Sequence, residues 1–250
     1  MGESSPLERP IHGWTRLWSA LLSAPDYPPS SDDLRTVSIA GLRVPLRAST
    51  AIVLFVLLVV LDYNRSFFPA GIPHDQSPTG VRAQAIDRAI LFGLFPLLTI
   101  LIAFRDQPAR YGLRIGDWRV GIPLALLGCV LMVPIVIAAA GSPEFRAFYG
   151  QSATSLPELA ITNVLDVGSA EFLFRGFLMF ALLRAVGPIG VLLVIVPFVF
   201  THLSKPEAET LSTLLGGFAF GWLNWRTGSI LYSASAHAFI LTLLVANATG

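Results

Sequence analysis

Cysteine is almost absent from this chain of 250 residues. Cys129 is the only one, and it lies inside an apolar run. No intrachain disulfide can form, and no cysteine-based metal site can be assembled. Lysine is nearly absent too: of 17 basic residues, Lys205 is the single lysine. Charge as a whole is scarce. It amounts to 13% of residues, while 54% are hydrophobic; a soluble domain carries about 25% charged residues. That balance excludes an ordinary soluble domain and predicts a multi-pass protein with membrane lipid around it. No window joins a basic cluster to interleaved aromatics, and the net charge is +1. No nucleic-acid partner is therefore expected. The chain also lacks an HExxH-type metal motif, an internal repeat and a low-complexity tract.

What is present is apolar sequence in seven runs, near 46–61, 89–104, 120–140, 159–183, 187–201, 211–225 and 229–247. A helix needs about 20 apolar residues to cross a bilayer. The runs predict an all-α polytopic transmembrane helix bundle of about seven spans (range six to eight) around a polar cavity. Pro96, Pro134 and Pro197 fall inside runs and should kink their helices. Residues 1–44 read as a cytoplasmic or membrane-surface segment and 45–250 as the membrane domain. Acidic residues and the lack of a long apolar core argue against a signal peptide at the start. Trp14, Leu17, Trp18, Leu21 and Leu22 follow helical spacing, as a surface-lying helix would. The segment 62–88 reads as a loop. Arg105, Arg110, Arg114 and Arg119 mark the 105–119 loop as cytoplasmic, and Arg35, Arg43 and Arg47 put the N-terminus on the same side. Arginine in place of lysine fits a GC-rich bacterial genome, so a bacterial plasma membrane is the expected location. Oligomeric state is not legible.

Within the fourth run stand Glu171 and Arg175, in a stretch that otherwise reads as a lipid-facing helix. By insertion scales each charge costs at least about 2.5–3.5 kcal/mol there. Their spacing of four puts them on one helix face, where they can pair. His202 ends the fifth run and His237 lies inside the seventh. Ionisable groups in such runs face the bundle interior or a water-filled cavity. A carboxylate and an imidazole can deprotonate water, a second imidazole can stabilise an oxyanion, and Arg175 would keep Glu171 ionised. Hydrolysis is one use of this set. Zinc held by Glu171, His202 and His237 is a second, although no cofactor is expected. A proton relay or transporter is a third, disfavoured by the lack of repeats and of paired broken helices.

The motifs resemble those of the CPBP family, also named the ABI or CAAX-protease-like family, of intramembrane endopeptidases. Its pattern is Glu-Glu-x-x-x-Arg, then Phe-x-x-x-His, then a His followed four residues on by Asn or Asp. Glu171 and Arg175 match the first motif, continued by Gly176-Phe177-Leu178. Phe198 and His202 match the second, and His237 the third. Tyr111-Gly112-Leu113, Gly116-Asp117-Trp118 and Trp225-Arg226-Thr227-Gly228-Ser229 are similar to stretches of bacterial members. The resemblance covers about 105–245. It implies a glutamate-type peptidase acting on a peptide or membrane-protein substrate, with water activated by a carboxylate and His202. It also implies an oxyanion held at His237. Two positions depart from the pattern. Ala170 stands where the first, water-activating Glu is expected, and Leu241 stands where Asn or Asp is expected. A pseudoenzyme that binds a peptide, lipid or membrane partner as a scaffold or immunity-type protein is therefore the alternative. Asp166, one turn before Ala170, and Asn163 are candidates to supply polarity near the vacant position. Lys205 is expected to cap the preceding helix, to pair with Glu207, or to contact a substrate carboxylate or lipid phosphate.

Overall fold

The computed structural model describes residues 22–23, 25–64, 72–73 and 75–250. Residues 14–21, His12 and His74 lie outside them. Eight helices account for most of the described residues, the all-α character that the hydrophobic runs predict. The one sheet among the described residues is an antiparallel hairpin, β1 (Thr36–Ile39) and β2 (Leu42–Pro45), with Ile39 paired to Leu42 across the turn.

Helix α1 (Leu46–Asn64) follows directly. Its inner stripe is Ala51, Phe55, Leu58 and Asp62, at spacings of three and four. Val53, Val56, Leu57 and Val60 point outward. Helix α2 (Pro78–Ala103) starts eleven residues before its apolar run, inside what reads as a loop. Ser77 caps it by accepting from Gly80 N at 3.2 Å, and Pro78 occupies the first turn. The polar half is held inside by ion pairs described below, which hydropathy alone does not register. Pro96 opens a short α-helical turn between two π-helical stretches, Ala89–Leu94 and Thr99–Ala103. It has no N–H for the ladder, so the backbone widens around it.

Helix α3 (Trp118–Ala140) exposes Ile122, Leu126, Val130 and Leu131 almost all along one side. Such a surface needs lipid or another apolar partner. A short α4 (Pro143–Tyr149) is capped by Ser142. Helix α5 covers 156–186 in three parts: Leu156–Glu171, the π-helical stretch Phe172–Leu178, and Met179–Val186. Helices α6 (Ile189–Phe200), α7 (Glu207–Thr227) and α8 (Leu231–Ala248) complete the bundle.

Among the described residues, four helices are long and apolar enough to cross a membrane: α1, α2, α3 and α8. The charges of α5 and the small, polar residues of α7 keep both out of that set. With 12 residues, α6 rises only about 18 Å, well short of a bilayer core of about 30 Å. It is too short to cross such a core by itself.

The core corrects one expectation. Helix α5 is not lipid-facing at its centre: every residue from 171 to 184 is buried. Phe55 and Leu58 of α1, Phe92 and Ile100 of α2, and Val194 and Phe198 of α6 surround Phe172, Phe174 and Phe177. A helix that is apolar all round belongs in the middle of a bundle, and there protein, not lipid, is the solvent of Glu171 and Arg175.

Candidate active site

Glu171 ends the α-helical part of α5 and Arg175 lies in the π-helical stretch that follows. Met179 N bonds to Phe174 O, five residues back, so the helix is wider here than an α-helix. Such widened turns are rare and concentrate at functional sites. Both side chains are almost wholly buried, each at 1% exposure.

Three donors hold the Glu171 carboxylate. Arg175 Nη1 and His237 Nδ1 both bond Oε1, the latter at 2.9 Å. Ser233 Oγ donates to Oε2 at 3.0 Å. The Arg175 guanidinium lies over the Phe198 ring, 4.1 Å from its centroid, with Phe220 on a second side at 5.6 Å. Its Nη2 has no hydrogen-bond partner among the described residues. A guanidinium in this sandwich is fixed by one carboxylate and two aromatic faces.

His202 follows α6 in a turn. Its Nδ1 bonds Phe198 O at 2.8 Å. A carbonyl only accepts, so Nδ1 carries the proton and Nε2 is left as a lone pair. The same reasoning assigns His237. A carboxylate at Nδ1 leaves Nε2 unprotonated in the neutral ring. Both imidazoles border Phe198, with ring centroids at 4.7 Å for His202 and 6.1 Å for His237. No hydrogen bond joins Glu171 to His202 among the described residues. The Glu171 carboxylate is directed to His237.

Asp166 and Asn163 take other partners than Glu171. Arg88 Nη1 donates to Asp166 Oδ1 at 2.9 Å, while Arg88 Nε and Nη2 bond Asp62 at 3.1–3.2 Å. Asp166 thus closes an Asp–Arg–Asp bridge between α1, α2 and α5. Asn163 Nδ2 donates to Thr242 Oγ1 at 3.1 Å. Ala170 packs against the apolar core. Lys205 pairs with Glu209 at 2.7 Å rather than with Glu207. The reason is local: Glu209 is four residues on and faces back, while Glu207 offers its N–H to Glu144 at 2.8 Å. Tyr149 OH bonds the same Glu209, at 2.7 Å to Oε2.

For a metal, the three candidate ligands do not converge. His237 and Glu171 are bonded to each other, and both His Nδ1 atoms donate. Among the described residues no group of three His, Cys, Asp or Glu side chains could hold an ion. The donor set as arranged does not fit zinc, which takes three or four ligands at one point.

Ser233 was not legible as a site residue, although a signal existed: it precedes His237 by four and shares its helix face. Phe220 carried no such signal. Asn224, at 0% exposure with no partner for its amide among the described residues, lies one turn beyond Phe220 on α7.

Residues 152–243 match the model of a family described as Type II CAAX prenyl endopeptidase Rce1-like. No curated protein and no solved structure matches the chain.

Proposed function

We propose, on the match of residues 152–243 to the Rce1-like model, that the chain is a membrane endopeptidase of the CAAX-protease-like family and hydrolyses peptide bonds at or within the membrane. The carrying observation is the hydrogen-bonded set Arg175–Glu171–His237 buried beside His202. The geometry favours a division of labour different from direct attack assisted by Glu171. Its carboxylate already accepts three bonds, so its role is to hold His237 with Nδ1 protonated. Arg175 balances its charge. The Nε2 lone pair of His237 then takes the proton of an attacking water, and His202, with its own Nε2 unprotonated, accepts a hydrogen bond from that water. The imidazolium so formed returns it to the leaving amine. The family's first carboxylate, replaced by Ala170, is bypassed because an imidazole oriented by a carboxylate is itself a base.

The pseudoenzyme reading keeps one specific support: every oxygen of Glu171 is engaged, and Ala170 and Leu241 bring no polar group. Cleavage of a membrane-tethered peptide library by the purified protein in detergent separates the two. Wild type should cleave. His202→Ala and His237→Ala should each lose about 10²–10⁴-fold in rate, the usual contribution of a general base, while eluting as folded protein. Equal cleavage by wild type and both variants, or none by wild type, favours the binding role.

A further inference from the structure

Two stretches stand apart from the catalytic set, 111–118 and 225–229, and they meet. Asp117 N donates to Thr227 O at 2.9 Å and Ile230 N to Gly112 O at 3.1 Å. Tyr232 OH donates to Ile115 O at 2.6 Å. Beside this seam opens a cleft of about 660 Å³ whose walls include Arg114, Gly116, Asp117, Arg226 and Thr227. The volume lies within the usual range of small-molecule sites, roughly 300–1,000 Å³.

Arg114 is held in place by backbone. Its Nε donates to Gly228 O at 2.9 Å. A Cβ on Gly228 would fall 2.2 Å from Arg114 Nη2, and Gly228 has φ +69°. The left-handed backbone there favours glycine, and a side chain would have to displace the guanidinium. Of five N–H groups, several remain for a ligand. Arg226 is positioned by Asp117, at 3.0 Å. Among the described residues, the cleft walls carry two guanidiniums and one carboxylate.

Its depth is set by the helices that start at it. Helix α3 begins at Trp118 and α8 at Leu231, and both are long and apolar enough to span. The cleft therefore lies where two spans leave the hydrocarbon, at the level of lipid headgroups. Trp118 is exposed there, with Arg119 stacked on its ring at 5.7 Å. Phosphate is the abundant anion at that depth, and the guanidinium fork matches its oxygens.

We propose that this cleft binds the phosphate of an anionic membrane lipid, at a site separate from the Glu171 cluster and independent of whether that cluster cleaves peptides. The test uses the full chain in nanodiscs of phosphatidylglycerol or phosphatidylcholine, with retained lipid counted by native mass spectrometry. Wild type should retain phosphatidylglycerol over phosphatidylcholine. Arg114→Ala should lower that retention about fivefold, the scale of one basic residue at an anionic surface, and Arg114→Lys should recover part of it. Arg119→Ala, next to the cleft but outside it, should retain as wild type does, as should His202→Ala. Equal retention of the two lipids by wild type overturns the proposal. So does an Arg119→Ala loss as large as that of Arg114→Ala, which would mean general surface attraction. A third arm adds glycerol phosphate to protein in detergent. Displacement of phosphatidylglycerol at equal concentration would reassign the cleft to soluble phosphate esters and overturn the lipid.

Discussion

The cost of a buried charge depends on what surrounds it, and Glu171 is the clearest case. With Arg175, His237 and Ser233 it forms a set in which the carboxylate has a cation and two further donors. Breaking such a pair from one side leaves an uncompensated ion and typically costs about 3–5 kcal/mol. Glu171→Gln should therefore lower the thermal midpoint in detergent far more than Ser233→Ala, which removes one hydrogen bond worth about 1 kcal/mol. A similar shift for both would show that the Arg175 charge is satisfied elsewhere. The glycine after Arg175 is constrained by space. A Cβ on Gly176 would sit 2.6 Å from Phe172 Cδ2 and 2.9 Å from Tyr111 O. Gly176→Ala should destabilise by about 1–3 kcal/mol, as overpacking does, read by the same thermal shift. The residue types at 171, 175, 202 and 237 are legible in sequence because charge is so scarce around them. Their pairing is not: spacing joins Glu171 to Arg175, but nothing local joins it to His237, 66 residues away.

At the scale of elements, the two halves of α2 obey different rules. The apolar half is legible from hydropathy. The polar half is helical because Arg88 finds Asp62 on α1 and Asp166 on α5. Asp166 consequently serves as a clamp between three helices. Replacing Arg88 by Ala should leave two carboxylates facing one another, and Asp166→Ala only one unbalanced contact. The first change should cost several kcal/mol and the second less, measured by thermal unfolding of each variant. The double change Asp62→Asn, Arg88→Ala should recover part of the loss; no recovery would mean that Arg88 acts through its packing on Phe92, 5.7 Å away. Helix α5 carries the other local surprise. Its π-helical stretch places Arg175 between two aromatic rings, a geometry that a 3.6-residue period does not anticipate.

Over the whole molecule, a cluster of ions ties the N-terminal segment to the helices. Asp33 bonds Arg47 at 3.1 Å and Arg110 at 2.7 Å, and Arg184 Nε lies 3.6 Å away. Asp106 bonds the same Arg47 and Arg110. Burial would raise the Asp33 carboxyl, but bonds from Ser30 and Arg110 and the charge of Arg184 outweigh it, so it is held well below the usual carboxylate range. A lowered folded-state value contributes stability that is complete above the unfolded value, about 3.9. It is lost as pH falls from there through the folded value. Protection against hydrogen exchange in the hairpin at 36–45, taken relative to the intrinsic rate at each pH, should therefore fall below about pH 4, and Asp33→Asn should be less protected at neutral pH with a flatter pH response. An unchanged profile in the variant would remove Asp33 from that role.

Composition alone determined that this chain lives among lipids, because so few charges can cover only a small part of its surface. The order of apolar runs determined a helical bundle, since each run satisfies its backbone within itself. The charged residues among them marked where chemistry is possible. Tertiary structure decided the rest. It put the centre of α5 inside protein instead of lipid, drew Asp166 to Arg88, and turned Glu171 toward His237. It also brought 111–118 against 225–229 to make a second polar cleft. These outcomes depend on contacts between helices far apart in the chain, and burial, not local spacing, sets the energy of a charge.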